Sequence, residues 1–327
     1  MAGGLWLCRG IGTDPYENLA LEQHLLETVA PGDCILYLWQ NQNTVVIGRN
    51  QNPWAECRTQ LLQEEGGHLS RRLSGGGAVY HDLGNLNFTF LVHKADYDVG
   101  KQTEVLLRAC REMGIPAERS GRNDLLADGR KFSGNAFYEH LGRCYHHGTL
   151  LVDVDMEKMG RYLQPSQAKL TSKGVASVRS RVVNLRTFVP KLTIEDLAGQ
   201  LERAFSAVYG GEVHPLPAEA LDRARLEELT AHNRSWDWLW GRKMAFTLQP
   251  QGRFPWGEVT VGLTVDRGVV EEATVYTDAM DWAFAAPMGA ALAGCPFTPE
   301  KLRAAVETVP CDENIRRDIG DLLAQQF

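Results

Sequence analysis

Paired cysteines are missing from this sequence. Its seven cysteines (Cys8, Cys34, Cys57, Cys110, Cys144, Cys295 and Cys311) are scattered, odd in number and form no Cys-x-x-Cys pair. That distribution argues against a disulfide framework or a closed zinc site and fits a reducing compartment. Long apolar runs are missing too: no stretch approaches the roughly 18 to 20 residues that span a bilayer. Residues 1–15 lack a basic head followed by an apolar segment, so no secretory leader is expected. There is no long basic block, and the net charge is -7, which leaves no large electrostatic footprint for nucleic acid. What is present is 327 residues at 44% hydrophobic composition, enough for about two domains. The expectation is a cytoplasmic, monomeric protein with neither a membrane nor a nucleic-acid partner.

Local signals divide the chain. Asp14-Pro15-Tyr16-Glu17 reads as an N-cap, a proline at the first helical position and a capping-box acid, and Pro31-Gly32 stops the helix near Val29. Residues 34–39 and 44–47 are short apolar runs about a polar connector, expected to pair as strands. Another strand is expected at 87–92 and a helix at 101–113, capped by Gly114. Next comes a meander: 125–127, a tight Asp128-Gly129 turn, 131–138, a Leu141-Gly142 turn, then 144–154. Helices are expected at 193–209 and 218–232. The Gln-, Pro- and Gly-rich stretch 249–255 reads as a linker or domain boundary. Beyond it come a hairpin (258–265 and 269–276) and helices starting at Pro299 and Asp312. The domains expected are 1–248 and 249–327.

Three segments carry chemistry. In Arg71-Arg72-Leu73-Ser74-Gly75-Gly76-Gly77-Ala78-Val79-Tyr80-His81-Asp82, three consecutive glycines bring backbone N–H groups close to an anion, and the arginines supply charge for phosphate or carboxylate. The same glycines also suit a plain hairpin turn, and no Walker or dinucleotide fingerprint follows. In Ser120-Gly121-Arg122-Asn123-Asp124-Leu125 and Gly129-Arg130-Lys131-Phe132-Ser133-Gly134-Asn135-Ala136, Lys131 opens a strand of small and apolar residues, where a fixed positive charge can meet developing negative charge. An isolated lysine in such a place is ordinarily solvated. Asn123 and Asp124 suit ribose, magnesium or phosphate water, and equally suit a local turn. In Tyr145-His146-His147-Gly148-Thr149, neighbouring histidines on a strand face opposite sides and make a poor metal pair. Cys144 has no orienting partner in sequence and reads as a packing residue.

The order and spacing of these segments closely resemble the bacterial lipoate–protein ligase A family. The likeness starts at Thr44-Val45-Val46-Ile47-Gly48-Arg49, is most specific from Arg71 to Asn85, and runs through Gly174-Val175-Ala176-Ser177-Val178-Arg179 to Arg253-Phe254-x-Trp256-Gly257. It implies an α+β chain: a large mixed-sheet catalytic domain of the biotin/lipoate–protein ligase type and a small α+β C-terminal domain that swings between half-reactions. It also implies ATP and Mg²⁺, with lipoate activated to lipoyl-AMP and passed to a lysine of an acceptor, an E2 lipoyl domain of a 2-oxoacid dehydrogenase or the glycine-cleavage H protein. By position, Lys131 matches the family's essential lysine. Arg72, Gly77, Ala78, Val79 and Tyr80 match its nucleotide contacts. Gly75, Gly76 and His81 flank the acyl chain or its carboxyl, with Asn123, His147 and Thr149 nearby, and Asp124 is the candidate for magnesium.

The competing expectation is an octanoyl or lipoyl transferase that works through a cysteine thioester without ATP. One such class carries its cysteine directly after a proline; here Leu163-Gln164-Pro165-Ser166 has none.

Overall fold

The computed structural model describes residues 3–10, 12–51, 53–121, 123–163, 182–240, 248–266 and 268–326. The Gly174–Arg179 stretch, Gln164 to Ser166 and Arg122 lie outside them.

The strands are β1 (Leu5–Arg9), β2 (Cys34–Trp39), β3 (Thr44–Ile47), β4 (His68–Arg71), β5 (Val79–His81), β6 (Asn85–His93), β7 (Ala117–Ser120), β8 (Asp124–Ala127), β9 (Arg130–His140), β10 (Arg143–Leu151) and β11 (Val213–Pro215). Eight of them form one mixed sheet in the order β11-β1-β2-β6-β10-β9-β8-β7. β11, β1 and β2 run parallel, and the pairs from β2 to β7 are antiparallel. Both faces are buried, and alternation sorts the side chains. Even positions such as Leu36, Phe88, Phe90 and Leu150 join the core under helices Val99–Glu112 and Ile194–Tyr209. Odd positions such as Tyr37, Trp39, Leu91 and Tyr145 face helix α1 (Pro15–Thr28). Asp14 caps that helix, its carboxylate accepting from the backbone N–H of Tyr16 and Glu17.

One sequence expectation is corrected here. β2 and β3 do not pair: β3 belongs to a separate three-stranded sheet, β4-β3-β5, parallel to β4 and antiparallel to β5. Asn43, at φ 42, turns the chain out of the large sheet immediately before β3. Two adjacent apolar runs gave no indication that each is buried in a different layer.

The C-terminal part has its own core, including Val259, Val261, Leu263, Met288, Val306 and Ile319. Its sheet is β12 (Gln251–Phe254), β13 (Gly257–Asp266) and β14 (Val269–Thr277), and three helices, Ala285–Leu292, Pro299–Glu307 and Glu313–Ala324, follow. The 249–255 stretch is therefore mostly an edge strand, not a loose linker. Helix Ala285–Leu292 carries no sequence expectation. Among the described residues, no helix is long and apolar enough to cross a membrane.

Candidate active site

Lys131 is aimed by a bulge. β8 pairs Leu125 with Ser133 but Leu126 with Lys131, so Phe132 is left without a partner. A bulge resets the alternation of a strand. Phe132 goes into the core, and Lys131 shares the cavity side with Gly134 and Ala136. The missing side chain of Gly134 makes room: a Cβ there would stand 3.0 Å from Lys131 Nζ. On its other side Val183 N–H donates to the Lys131 carbonyl at 2.9 Å, fixing the backbone. Lys131 Nζ lies 2.7 Å from Asp124 Oδ1, an ion pair by distance that is not aligned as a hydrogen bond.

The cavity that receives Lys131 has a volume of about 170 Å³. It sits between the odd face of the large sheet and the small sheet, beneath the glycine loop. Gly76, Gly77, Ala78, Val79, Arg72, His81, Asn123, His147 and Thr149 of the expected set line it with Lys131. Gly75, Tyr80 and Asp124 do not, Asp124 standing behind Lys131 as its ion-pair partner. Tyr80 is the middle residue of β5 and so points to the opposite side, where it packs near Tyr162 and its hydroxyl donates to Asn43 Oδ1. Gly75 lies under the C-terminal part: a Cβ would stand 2.2 Å from the Ala279 carbonyl oxygen and 2.6 Å from the Trp282 ring.

The two arginines are braces. Arg71 donates to five backbone carbonyls, those of Gly48, Arg49, Gln51, Trp238 and Leu239. Arg72 donates to the carbonyls of Val46, Gly75 and Gly77 and to Ser74 Oγ. Burial draws both guanidiniums down to about 10, still protonated at neutral pH. Arg72 thus holds the carbonyls of the loop inward, and its charge stands behind the loop's N–H groups. One of those, Gly76 N–H, donates to Ala279 O at 3.3 Å, and Gly76 itself holds φ 89, a left-handed conformation that glycine tolerates.

His81 and the β10 histidines divide as alternation requires. His147 and Thr149 face the cavity; His146 turns to Phe88, Phe90 and Phe137 on the other side. Thr149 Oγ1 accepts from Gly134 N–H, tying β10 to the strand of Lys131. Burial, with Arg72 and His147 adding to it, holds the His81 imidazole down to about 3. Asn41 Nδ2 lies 3.2 Å from its Nδ1, which leaves the proton on Nε2, and that atom has no partner among the described residues. Asn87 Nδ2, also at the cavity, is a second buried donor without one.

Sequence reasoning missed several residues of this wall. Leu19, Trp39, Val46 and Ala136 supply apolar surface, and Met280 comes from the C-terminal part. Asn135 Nδ2 donates to the Asn123 carbonyl at 3.0 Å, and its Oδ1 lies 2.8 Å from His146 Nε2. The findable signal was Asn85-x-Asn87-x-Thr89, polar side chains at every second position of an apolar strand. Met280 carries no such signal. Among the described residues, no three His, Cys, Asp or Glu side chains gather to hold a metal. Asp124 is a lone carboxylate, so magnesium here fits only as an ion carried largely by nucleotide phosphates.

The whole architecture recurs in solved structures. P. falciparum LipL1, solved in complex with lipoate, is similar with a TM-score of 0.85 at 25% identity, over 98% of this chain and 100% of that one. A bipartite lipoate protein ligase of Thermoplasma acidophilum, described with its E2 lipoyl domain, matches at 25% identity and TM-score 0.65, over 76% of this chain and 100% of that one. A lipoate-protein ligase A bound with ATP matches at 25% identity and TM-score 0.64, over 74% and 99%. The fold is therefore the lipoate–protein ligase fold with its C-terminal α+β domain. The profile of the lipoyl protein ligase A/B catalytic domain matches residues 14–206, and that of the bacterial lipoate protein ligase C-terminus matches residues 243–324. The chain belongs to the lipoyl protein ligase A/B family.

Proposed function

We propose that the chain is an ATP-dependent lipoate–protein ligase with Lys131 at the centre of both half-reactions. The observation that carries this reading is the bulge that turns Lys131 into the cavity beneath the glycine loop. The apolar wall of Leu19, Trp39, Val46 and Ala136 suits the acyl chain, and the glycine loop suits the phosphates. The relatives solved with lipoate and with ATP support the two ligands.

In the first half-reaction a lipoate carboxylate oxygen attacks the α-phosphorus, and the bond to pyrophosphate breaks. Lys131 and the N–H groups of the loop offset the crowding of anionic oxygens. Arg72 contributes from behind, since its donors are already held by the protein. Gly76 N–H must first exchange its Ala279 partner for a phosphate oxygen. In the second, the amine of an acceptor lysine attacks the acyl carbonyl and AMP leaves, with Lys131 holding the carbonyl and phosphate oxygens. The acceptor is a lipoyl domain of an E2 subunit or the glycine-cleavage H protein. The E2 lipoyl domain described with the archaeal relative favours the first.

A thioester transferase needs a thiol at the cavity. No cysteine of the chain lines it, and burial pushes Cys144 up to about 11. The test is pyrophosphate release with lipoate and ATP before any acceptor is added. Release is expected in the wild type and its loss in Lys131→Ala, with the unfolding midpoint little changed because the Lys131–Asp124 pair is half-exposed. Acyl transfer without ATP, or full activity in Lys131→Ala, removes the proposal.

A further inference from the structure

Behind the cavity runs a chain of hydrogen bonds whose direction is fixed along its length. Trp39 Nε1, which can only donate, lies 3.1 Å from Thr89 Oγ1. The threonine then gives its own proton to Glu22 Oε1 at 2.7 Å. The same oxygen lies 2.8 Å from His147 Nδ1, so that nitrogen carries the ring proton and Nε2 accepts. Ser74 Oγ stands 2.7 Å from Nε2 and 3.1 Å from Arg72 Nε, another pure donor. The serine therefore accepts from the arginine and donates to the histidine. Its alternative acceptor, the Gly75 carbonyl, is at 3.4 Å, the neighbouring Tyr145 hydroxyl is not aligned to bond it, and an imidazolium would put a second cation on an oxygen that already holds a guanidinium. Arg72 completes the chain at the Gly75 and Gly77 carbonyls.

Trp39, His147 and Arg72 line the cavity, while Thr89, Glu22 and Ser74 stand behind it, buried. Six side chains from α1, β2, β6, β10 and the loop thus form one uninterrupted link between the apolar wall and the glycine loop. In a buried, low-dielectric setting each bond of such a chain polarises the next.

We propose that Glu22 and His147 are positioning residues, and that their link couples occupancy of the apolar wall at Trp39 to the shape of the loop that receives the phosphates. This rests on the reading of the cavity as the acyl-adenylate site. The consequence is synergy: the acyl acid tightens nucleotide binding, and the nucleotide tightens acid binding by the same factor. Severing the link at any bond removes the coupling rather than the affinity.

Calorimetry with a non-hydrolysable ATP analogue, with and without lipoate, tests this on the full chain. In the wild type, lipoate is expected to tighten the analogue about tenfold. In Glu22→Gln and in Thr89→Val the factor falls to near one, analogue affinity without lipoate changes less than about twofold, and the double variant is no worse than either single one. A merely structural role would weaken binding equally with and without the acid. ¹⁵N shifts of His147 in the wild type should report a neutral ring protonated at Nδ1.

A factor of one in a wild type that binds both ligands overturns the coupling, as do variants that keep the factor or combine multiplicatively. A ring protonated at Nε2, alone or together with Nδ1, overturns the link even if the variants fail to fold. A wild type that binds neither ligand overturns the functional reading first and the coupling with it.

Discussion

The buried histidines give this protein a residue-level pH dependence that needs no catalytic step. Burial holds both His81 and His146 down to about 3, with Arg72 and His147 adding to the effect on the first and His147 and Arg119 on the second. Unfolded, each regains an ordinary value near 6.5. Below about pH 6.5 the unfolded chain therefore binds protons that the native state refuses, and stability falls as pH falls. Each histidine contributes roughly 1.4 kcal/mol per pH unit across that window, down to its folded value near 3. Urea unfolding at several pH values should show this loss, with a visibly shallower slope in His146→Gln. An unchanged slope would mean that His146 is not held neutral in the fold. At this scale the sequence foresaw which residues gather, since Lys131, Arg72, His81, His147 and Thr149 all line one cavity, while their roles rest on the proposed function. Tyr80 and Gly75 were expected beside them by proximity in sequence and do not line that cavity. β-alternation turns one away, and the other meets a segment some two hundred positions downstream, which no local pattern reveals. Glu22 was also unread, although an acid buried on the apolar side of α1 was its signal.

At the scale of elements, the aim of Lys131 depends on how closely β9 and β10 approach. Gly148 permits that approach: a Cβ there would stand 2.5 Å from the Gly134 carbonyl oxygen and 2.8 Å from the Phe88 ring. The first is backbone of the neighbouring strand and the second a fully buried core ring, so neither can swing aside easily. Gly148→Ala must therefore push β9 outward at Gly134, on whose bare backbone the Lys131 side chain rests. The expected cost is about 1–3 kcal/mol of stability by overpacking. Acid-dependent pyrophosphate release should fall at least tenfold, since displacements of about 1 Å in reacting groups carry losses of that order or more. Urea unfolding and pyrophosphate release measured together decide it, and an alanine variant with wild-type turnover would show that the spacing is not critical. Most elements were readable because caps and turns are local chemistry, as with Asp14, Asp128-Gly129 and Gly210. The bulge at Phe132 was not, since it is defined only by pairing with β8. The assignment of β2 and β3 to different sheets failed for the same reason.

For the whole molecule, the proposed function raises the question of what would keep water from an activated acyl group. The C-terminal part meets the glycine loop along residues 277–282, where Ala279 also belongs to its core with Val259, Leu263 and Ile319. Thr277 N–H donates to the Asn50 carbonyl, Asn50 Nδ2 donates to the Trp282 carbonyl, and Gly76 N–H reaches Ala279. Met280 forms part of the cavity wall. Trp282 holds this seam: its ring stacks on Tyr138 with centroids 5.7 Å apart, and the Arg49 guanidinium lies over it at 4.5 Å. An aromatic pair contributes about 0.5–1.5 kcal/mol and a cation–π contact about 0.5–1. Trp282→Ala should therefore weaken the seam by roughly 1–2.5 kcal/mol without touching Lys131 or the loop's own brace. A seam loosened by that amount opens roughly five- to seventyfold more often. Each opening admits water to a mixed anhydride that hydrolyses on contact. With lipoate and ATP but no acceptor, the variant should form pyrophosphate in the first turnover as the wild type does, then release AMP several-fold faster by futile hydrolysis. Chromatographic counting of AMP against pyrophosphate distinguishes the cases. Equal AMP release in variant and wild type would mean that the glycine loop shields the adenylate unaided and the C-terminal segment serves another end.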